Sequence, residues 1–354
     1  MNQTTEKIEL NQHLANASSP GKRAWLRFKA NKRGFYSLWI FLFVFILSLF
    51  AEFISNDKPL VVQYQNEYYF PVFYFYKETD FGGDFETEAD YKDGYVRKLL
   101  TENGNWMFES LNPFSYTTIS YDSDLANPAP PSDFNILGTD DRGRDVLARL
   151  IYGFRLSILF AISLTIVGTL IGILAGMIQG YFGGRTDLLF QRFIEIWGSM
   201  PELYLLIIFA SIFQPNVWLL IILLSMFGWM GLSDYVRAEF LKGRNLDYVK
   251  SARALGLGNA GIMFKHLLPN SLTPVITFLP FRISGAILAL TSLDYLGLGV
   301  PADTPSLGEL LSQGKENISA WWLSLSTFGV LVGALMMLIF IGEALREALD
   351  TRRA

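Results

Sequence analysis

The chain has 354 residues, of which 51% are apolar and 15% aromatic, with a net charge of −4 and no cysteine. Its mean hydropathy of +0.28 is too high for an ordinary soluble domain, and its 18% of charged residues is too many for a chain immersed wholly in lipid. The lack of cysteine excludes disulfides, zinc–thiolate sites and thiol chemistry.

Residues 1–34 form a polar, basic tail: Lys7, Lys22, Arg23, Arg27, Lys29, Lys32 and Arg33 stand there against Glu6 and Glu9. No secretory signal is expected, because the first apolar run is longer than a signal-peptide core. A bilayer core takes ~20 apolar residues per helix. Six stretches qualify, at about 35–55, 155–178, 190–213, 216–235, 272–293 and 322–343. The second carries Gly168, Gly172 and Gly176 at four-residue spacing, a face that lets another helix approach closely. Pro201 breaks the third, and the fifth contains Pro274 and Pro280.

Between the first two spans lies an insert, residues 56–135, rich in tyrosine and phenylalanine. About 80 residues suffice for a small domain. Leu60–Tyr64 and Tyr68–Tyr76 read as a hairpin, and the aromatics as either a small core or a surface belt. The stretch NPAPPSD at 127–133 reads as a stiff, extended linker. Residues 136–154 read as an interfacial segment. Asp145 can cap a helix with Val146, Leu147, Leu150 and Ile151 on one face. That helix is expected to lie at the membrane surface before the second span, with Arg149 and Arg155 snorkelling to the head groups. In the third span Arg192 and Glu195, three residues apart, share a helix face and can pair. They read as an interfacial ion pair or as the cytoplasmic mouth of a path across the membrane.

Residues 245–270, NLDYVKSARALGLGNAGIMFKHLLPN, are a basic interruption between the fourth and fifth spans. The pattern predicts two short helices around a glycine hinge. Asn245 or Asp247 caps the first helix and Asn259 the second. Gly256 and Gly258 bracket a turn suited to positive φ, and Pro269 discourages continuation. Basic residues orient the whole. The tail, the loop 237–270 (Arg237, Lys242, Arg244, Lys250, Arg253, Lys265) and the C-terminus (Arg346, Arg352, Arg353) fall on one side. The insert, with fourteen acidic and five basic residues, falls on the other. The expected fold class is therefore an all-α membrane protein of six transmembrane helices, with an extracytoplasmic insert between helices 1 and 2. Residues 155–345 form the five-helix core, and 346–354 a cytoplasmic tail.

The 245–270 segment resembles the cytoplasmic coupling loop of ABC importer permeases. That pattern runs Glu-Ala-Ala, three residues, Gly, nine residues, Ile-x-Leu-Pro. Ala252, Gly256, Leu268 and Pro269 match, while Lys250, Ser251 and His266 depart. A second motif, Leu-Gly-Thr-Asp followed after two residues by Gly-Arg-Asp, resembles the oligopeptide and dipeptide class of these permeases. Gly138, Thr139, Asp140, Gly143, Arg144 and Asp145 carry it. The aromatic insert is similar to the Yej-type branch, linked to uptake of peptides and of the peptide-nucleotide antibiotic microcin C. The resemblance implies a permease subunit translocating peptides by alternating access. Asp247, Lys250, Ser251, Ala252, Arg253, Gly256, His266, Leu268 and Pro269 would meet the ATPase. It further implies a second permease subunit, a cytoplasmic ATPase (fused or as two chains) binding ATP and Mg, and a periplasmic solute-binding protein that the insert would contact. The location implied is a bacterial inner membrane, with both termini cytoplasmic.

No GxxxxGK[ST] loop and no HExxH occurs, so ATP hydrolysis through a phosphate loop and zinc-peptidase chemistry are not expected of this chain. The two histidines, His13 and His266, have no ligand cluster in sequence, so no metal is expected. Gly198-Ser199 lacks the flanks of a nucleophile elbow. The basic runs read as inside anchors, not as a nucleic-acid surface. The alternative is an ion-coupled carrier, which should display paired repeats and midplane ionisable residues; neither stands out in the sequence. A sensor or scaffold would need a larger cytoplasmic domain than these tails provide.

Overall fold

The computed structural model describes residues 19–102, 104–121 and 125–350. Lys7, His13, Arg352 and Arg353 lie outside them. The membrane helices are α2 (Lys32–Leu49), α4 (Val146–Phe182), α7 with α8 (Val217–Gly228, Met230–Gly243), α10 (Leu268–Tyr295) and α12 (Trp321–Leu349). Five helical units are long and apolar enough to cross a bilayer, and a sixth follows if α5 (Gly184–Gly198) and α6 (Glu202–Ile212), bent by 65° at Pro201, count as one. Short helices include α1 (Pro20–Ala30), α3 (Gly94–Thr101), α9 (Asp247–Ala254) and α11 (Leu307–Glu316).

The axis of the molecule is α4, at 37 residues roughly 55 Å long. Its N-terminal half packs on α10, α11 and α12 through Val146, Leu150, Phe154, Ile158, Ile287 and Leu323. Its C-terminal half packs on α8 through the glycine face. An added Cβ would sit 2.9 Å from the Trp229 carbonyl at Gly172 and 2.5 Å from that of Ser233 at Gly176, and Gly180 extends the stripe against Phe240. The expected close approach is therefore real, and α8 is the partner.

The basic tail is not all loose chain. Helix α1 begins at an N-cap, Ser19, and lays Phe28 against Ala344 and Ala348 of α12. Arg27 and Asn31 bond to Asp350 O and Glu347. The start of the first long helix thus meets the end of the last.

In the insert, β1 (Val61–Tyr64) pairs antiparallel with β2 (Glu67–Tyr69) and with β3 (Trp106–Phe108). The second strand is shorter than Tyr68–Tyr76, because the chain turns after Tyr69. The aromatics divide between the two expected uses. Tyr64, Tyr69, Tyr76 and Tyr91 ring the fully buried Phe81 edge-on, with centroids 5.1–6.1 Å away. Phe70, Phe73, Tyr74 and Phe75 stay exposed, and Phe73 touches Phe53 just past α2. The 127–133 stretch is not a free linker: Ala129 exchanges hydrogen bonds with Thr139.

Two more expectations are corrected. No separate interfacial helix precedes the second span; residues 146–154 are the first turns of α4. Arg149 does not snorkel, since it is fully buried. Pro269 does not end the second short helix either. The chain stays helical from Asn259 to Tyr295, with a π-helical stretch at Ile262–Leu267 just before Pro269. Proline cannot complete the bond to the carbonyl four residues back and crowds it. A local widening of the turn accommodates this.

Candidate functional site: a charge cluster and a hinge at opposite ends of one helix

At the N-terminal end of α4, the loop 138–145 folds around Asp140. Its Oδ1 accepts from the backbone N–H of Arg142 (2.9 Å) and Arg144 (2.8 Å). Its Oδ2 takes Arg144 Nε and Nη2 at 2.7 and 2.6 Å. Arg149 Nε lies 3.6 Å from the same oxygen. Glu309 on α11 closes the cluster, pairing with Arg149 Nη2 and with Arg144 Nη2 at 3.2 Å. The remaining guanidinium donors find carbonyls: Arg144 to Ala302, Arg149 to Thr304 and Tyr116. Asp140, Asp145 and Arg149 are all 0% exposed. Burial of that kind is sustained only by such pairing.

The rest of the motif is equally absorbed. Asp145 caps α4 as expected, accepting from Ala148 N at 2.8 Å, and also holds Asn112 and Asn135, each at 2.9 Å. Thr139 O accepts from Trp322 Nε1, and Gly138 and Gly143 adopt φ of +74° and +79°. Arg155 pairs with Glu52 at 2.8 Å. Beside the cluster, burial and the neighbouring Asp140 carboxylate push the Asp141 pKa above its usual range.

At the opposite end of α4 lies the hinge. Helix α9 inserts Val249 and Ala252 into an apolar base with Tyr181, Phe240, Ile262, Met263 and Leu267. The expected caps are absent. Leu246 occupies the N-cap of α9 without a side-chain bond, and Gly258 that of the second helix. Asn259 instead accepts from Tyr181 Oη at 2.8 Å, and Arg253 Nη2 donates to the same hydroxyl at 3.3 Å. One tyrosine on α4 thus ties both sides of the turn. Gly256 has φ +81°, whereas Gly258 is extended at −68°. Nothing lies within 4 Å of a Cβ built at Gly256.

Around Gly256 the chain presents Leu255, 80% exposed, with Leu246, Tyr248 and Leu257 also uncovered. Among the described residues Lys250 bonds only Asp247, at 3.2 Å, both well exposed. Ser251 and Pro269 are exposed, His266 is half-buried, and Leu268 packs on the base. Arg192 and Glu195 do pair, at 2.5 Å, and are exposed on α5. Neither belongs to the charge cluster or to the hinge.

Sequence reasoning missed Glu309, which has no motif of its own. It also missed Glu202 and Arg282, whose signal, an ionisable residue inside an apolar run, was legible.

The model of the "binding-protein-dependent transport system inner membrane component" matches residues 168–354, and that of the "N-terminal TM domain of oligopeptide transport permease C" residues 19–80. The inner membrane ABC transporter permease protein YejE of Escherichia coli is 48% identical over 341 residues, 96% of this chain and 100% of its own length. The peptidoglycan transport system permease protein YejE of Agrobacterium fabrum is also 48% identical, covering 94% of this chain and 93% of itself. The oligopeptide permease OppC of Haemophilus influenzae is 34% identical, over 70% of this chain and 78% of its own. Among solved structures, the inward-facing MetNI methionine ABC transporter matches with a TM-score of 0.48 and 16% identity, over 58% of this chain and 97% of that one.

Proposed function

Because the chain belongs to the inner-membrane permeases of binding-protein-dependent ABC transporters, in the oligopeptide, dipeptide and Yej-type class, we propose that it is one of two permease subunits of an ATP-driven importer of short peptides. The relatives' names support the cargo. Oligopeptide, dipeptide and peptidoglycan transport share a short peptide chain, and a microcin C-like peptide falls within the same chemistry. An ion-coupled carrier has no support among the relatives.

The observation that carries the mechanism is the hinge. Leucines stand uncovered around a left-handed Gly256, above a base that is fully packed. An exposed apolar tip on a rigid base is what a partner surface can grip. The partner is the ATPase, one fused chain or two, which binds ATP and Mg; this chain holds neither. Closure of the ATPase pushes on α9. Tyr181 and Leu267 pass the displacement to α4 and α10, and the helices rock as bodies.

Six crossings follow if α5 and α6 count as one. The packing of Phe28 on Ala344 and Ala348 brings both ends of the described chain to one side, as an even number requires. The hinge lies on that side too, and its basic residues make it the cytoplasm. The insert then faces outward and receives the periplasmic binding protein.

Reconstitution with the ATPase, the second permease and the binding protein tests the reading. Expected is peptide uptake that needs ATP and rises with the binding protein. Uptake by this chain alone, driven by a proton gradient without ATP, would sink it in favour of the carrier.

A further inference from the structure

Glu202 and Arg282 have no part in the mechanism above, yet they line one cavity of about 250 Å³ together with Thr165 and Gly228. Its depth follows from α4. Thr165 stands 19 residues after Val146 and 17 before Phe182, so it is roughly 25 Å or more from either end of the helix. That is the middle of the membrane, where an ionisable side chain is costly and marks a solute path by default.

Within this chain the two charges are unmet. Among the described residues Glu202 makes no hydrogen bond or ion pair. Arg282 gives one bond, from Nη2 to Gly228 O at 3.0 Å, and its Nε is buried without an acceptor. Thr165, 4% exposed, has no partner for its hydroxyl. A guanidinium has five donors to place, so most of its capacity is open to a ligand.

The backbone adds to this. Helix α6 starts at Glu202 after the 65° bend, with no side-chain cap. Helix α7 ends at Gly228, and its direction resumes in α8 only after Trp229. Helix ends leave unbonded N–H and C=O groups, and irregular backbone at this depth persists only inside protein or along a wet cavity. Glu202 also borders an apolar recess of about 160 Å³ with Trp197, Met200 and Met226. Methionine adapts to apolar groups of varied shape.

We propose that this cavity is a transit subsite for peptides, in which Arg282 receives the terminal carboxylate, Glu202 the terminal ammonium, and the methionine-lined recess a side chain. The proposal rests on the peptide-importer reading and adds a site on this subunit, one that opens at its surface, with Glu202 exposed and Arg282 half-buried. An arginine–carboxylate contact is a charge-assisted, often bidentate bond, and its loss away from water is felt strongly.

The test uses the assembled complex and the lack of cysteine in this chain. Gly285 lines the cavity and has open space for a side chain, so Gly285→Cys provides a label site. A free dipeptide is expected to slow its modification by a small thiol reagent; the C-amidated and N-acetylated forms should protect less. In Arg282→Gln, uptake of the free peptide should fall by about tenfold or more relative to the unaltered complex, and the difference in protection between free and amidated peptide should vanish. Arg282→Lys should retain part of that difference, and Glu202→Gln should act likewise on the acetylated pair. Equal protection by free and capped peptides would overturn the proposal. So would restored uptake when Glu202→Arg is combined with Arg282→Glu, which would make the two an ion pair. So would loss of the second permease subunit from either variant, which would place the charges at that interface. If the unaltered complex takes up no peptide with ATP, the importer reading itself fails, a result distinct from these.

Discussion

The loop 138–145 and the segment 245–270 stand at opposite ends of α4, and both are spaced motifs rich in glycine and charge. They are opposite in physical character. In the loop 138–145 the motif's own charges are consumed internally: Asp140 and Asp145 are 0% exposed and Arg144 5%, and each is bonded to the insert, to α11 or to the loop itself, while Asp141 and Arg142 between them stay exposed. In the segment 245–270 the base is packed but the tip is not, with Leu255 80% exposed and Lys250 meeting, among the described residues, a neighbouring aspartate alone. A motif whose groups are satisfied within the chain holds parts of that chain together. A motif that leaves apolar groups uncovered on a firm base awaits another surface.

Asp140→Ala carries the largest expected effect. It strips the carboxylate from Arg144 and Arg149 and leaves Glu309 alone against two buried guanidiniums. Breaking a buried pair in this way costs about 3–5 kcal/mol. The amount of protein in the membrane and its thermal unfolding in detergent should both drop. If Asp140→Ala accumulates and melts normally while uptake is lost, the loop 138–145 is a working site and the contrast collapses.

Gly256→Asp should behave in the reverse manner. The left-handed backbone costs a side chain about 1–2 kcal/mol, and the surrounding space is empty, so the chain should still insert. Uptake should be abolished and co-purification of the ATPase weakened. Wild-type uptake at normal membrane levels would remove the hinge from the mechanism. The smallest effect belongs to Lys250→Ala, whose side chain is 64% exposed. Surface changes of this kind stay within about ±0.5 kcal/mol, and uptake should stay near wild type. A loss as deep as that of Gly256→Asp would instead give the lysine a direct role in docking.

The sequence alone determined those features that local chemistry decides. Apolar runs of sufficient length marked the spans, and glycine spacing both the close face of α4 and the positive φ at Gly256. Local rules failed where a group's partner lies far along the chain. Arg149 read as a snorkelling charge because hydration was its only visible partner; Glu309, 160 residues away, makes burial tolerable. Asn259 read as a cap, yet the Tyr181 hydroxyl on another helix donates to its side-chain Oδ1. Pro269 read as a stop, yet a π-helical turn carries the helix past it. Glu202 and Arg282 were visible as ionisable residues within apolar segments, but only the packing of α4, α6, α7 and α10 brings them to one cavity at mid-depth. The cost of a charge depends on what surrounds it in three dimensions, and only the tertiary structure supplies those surroundings.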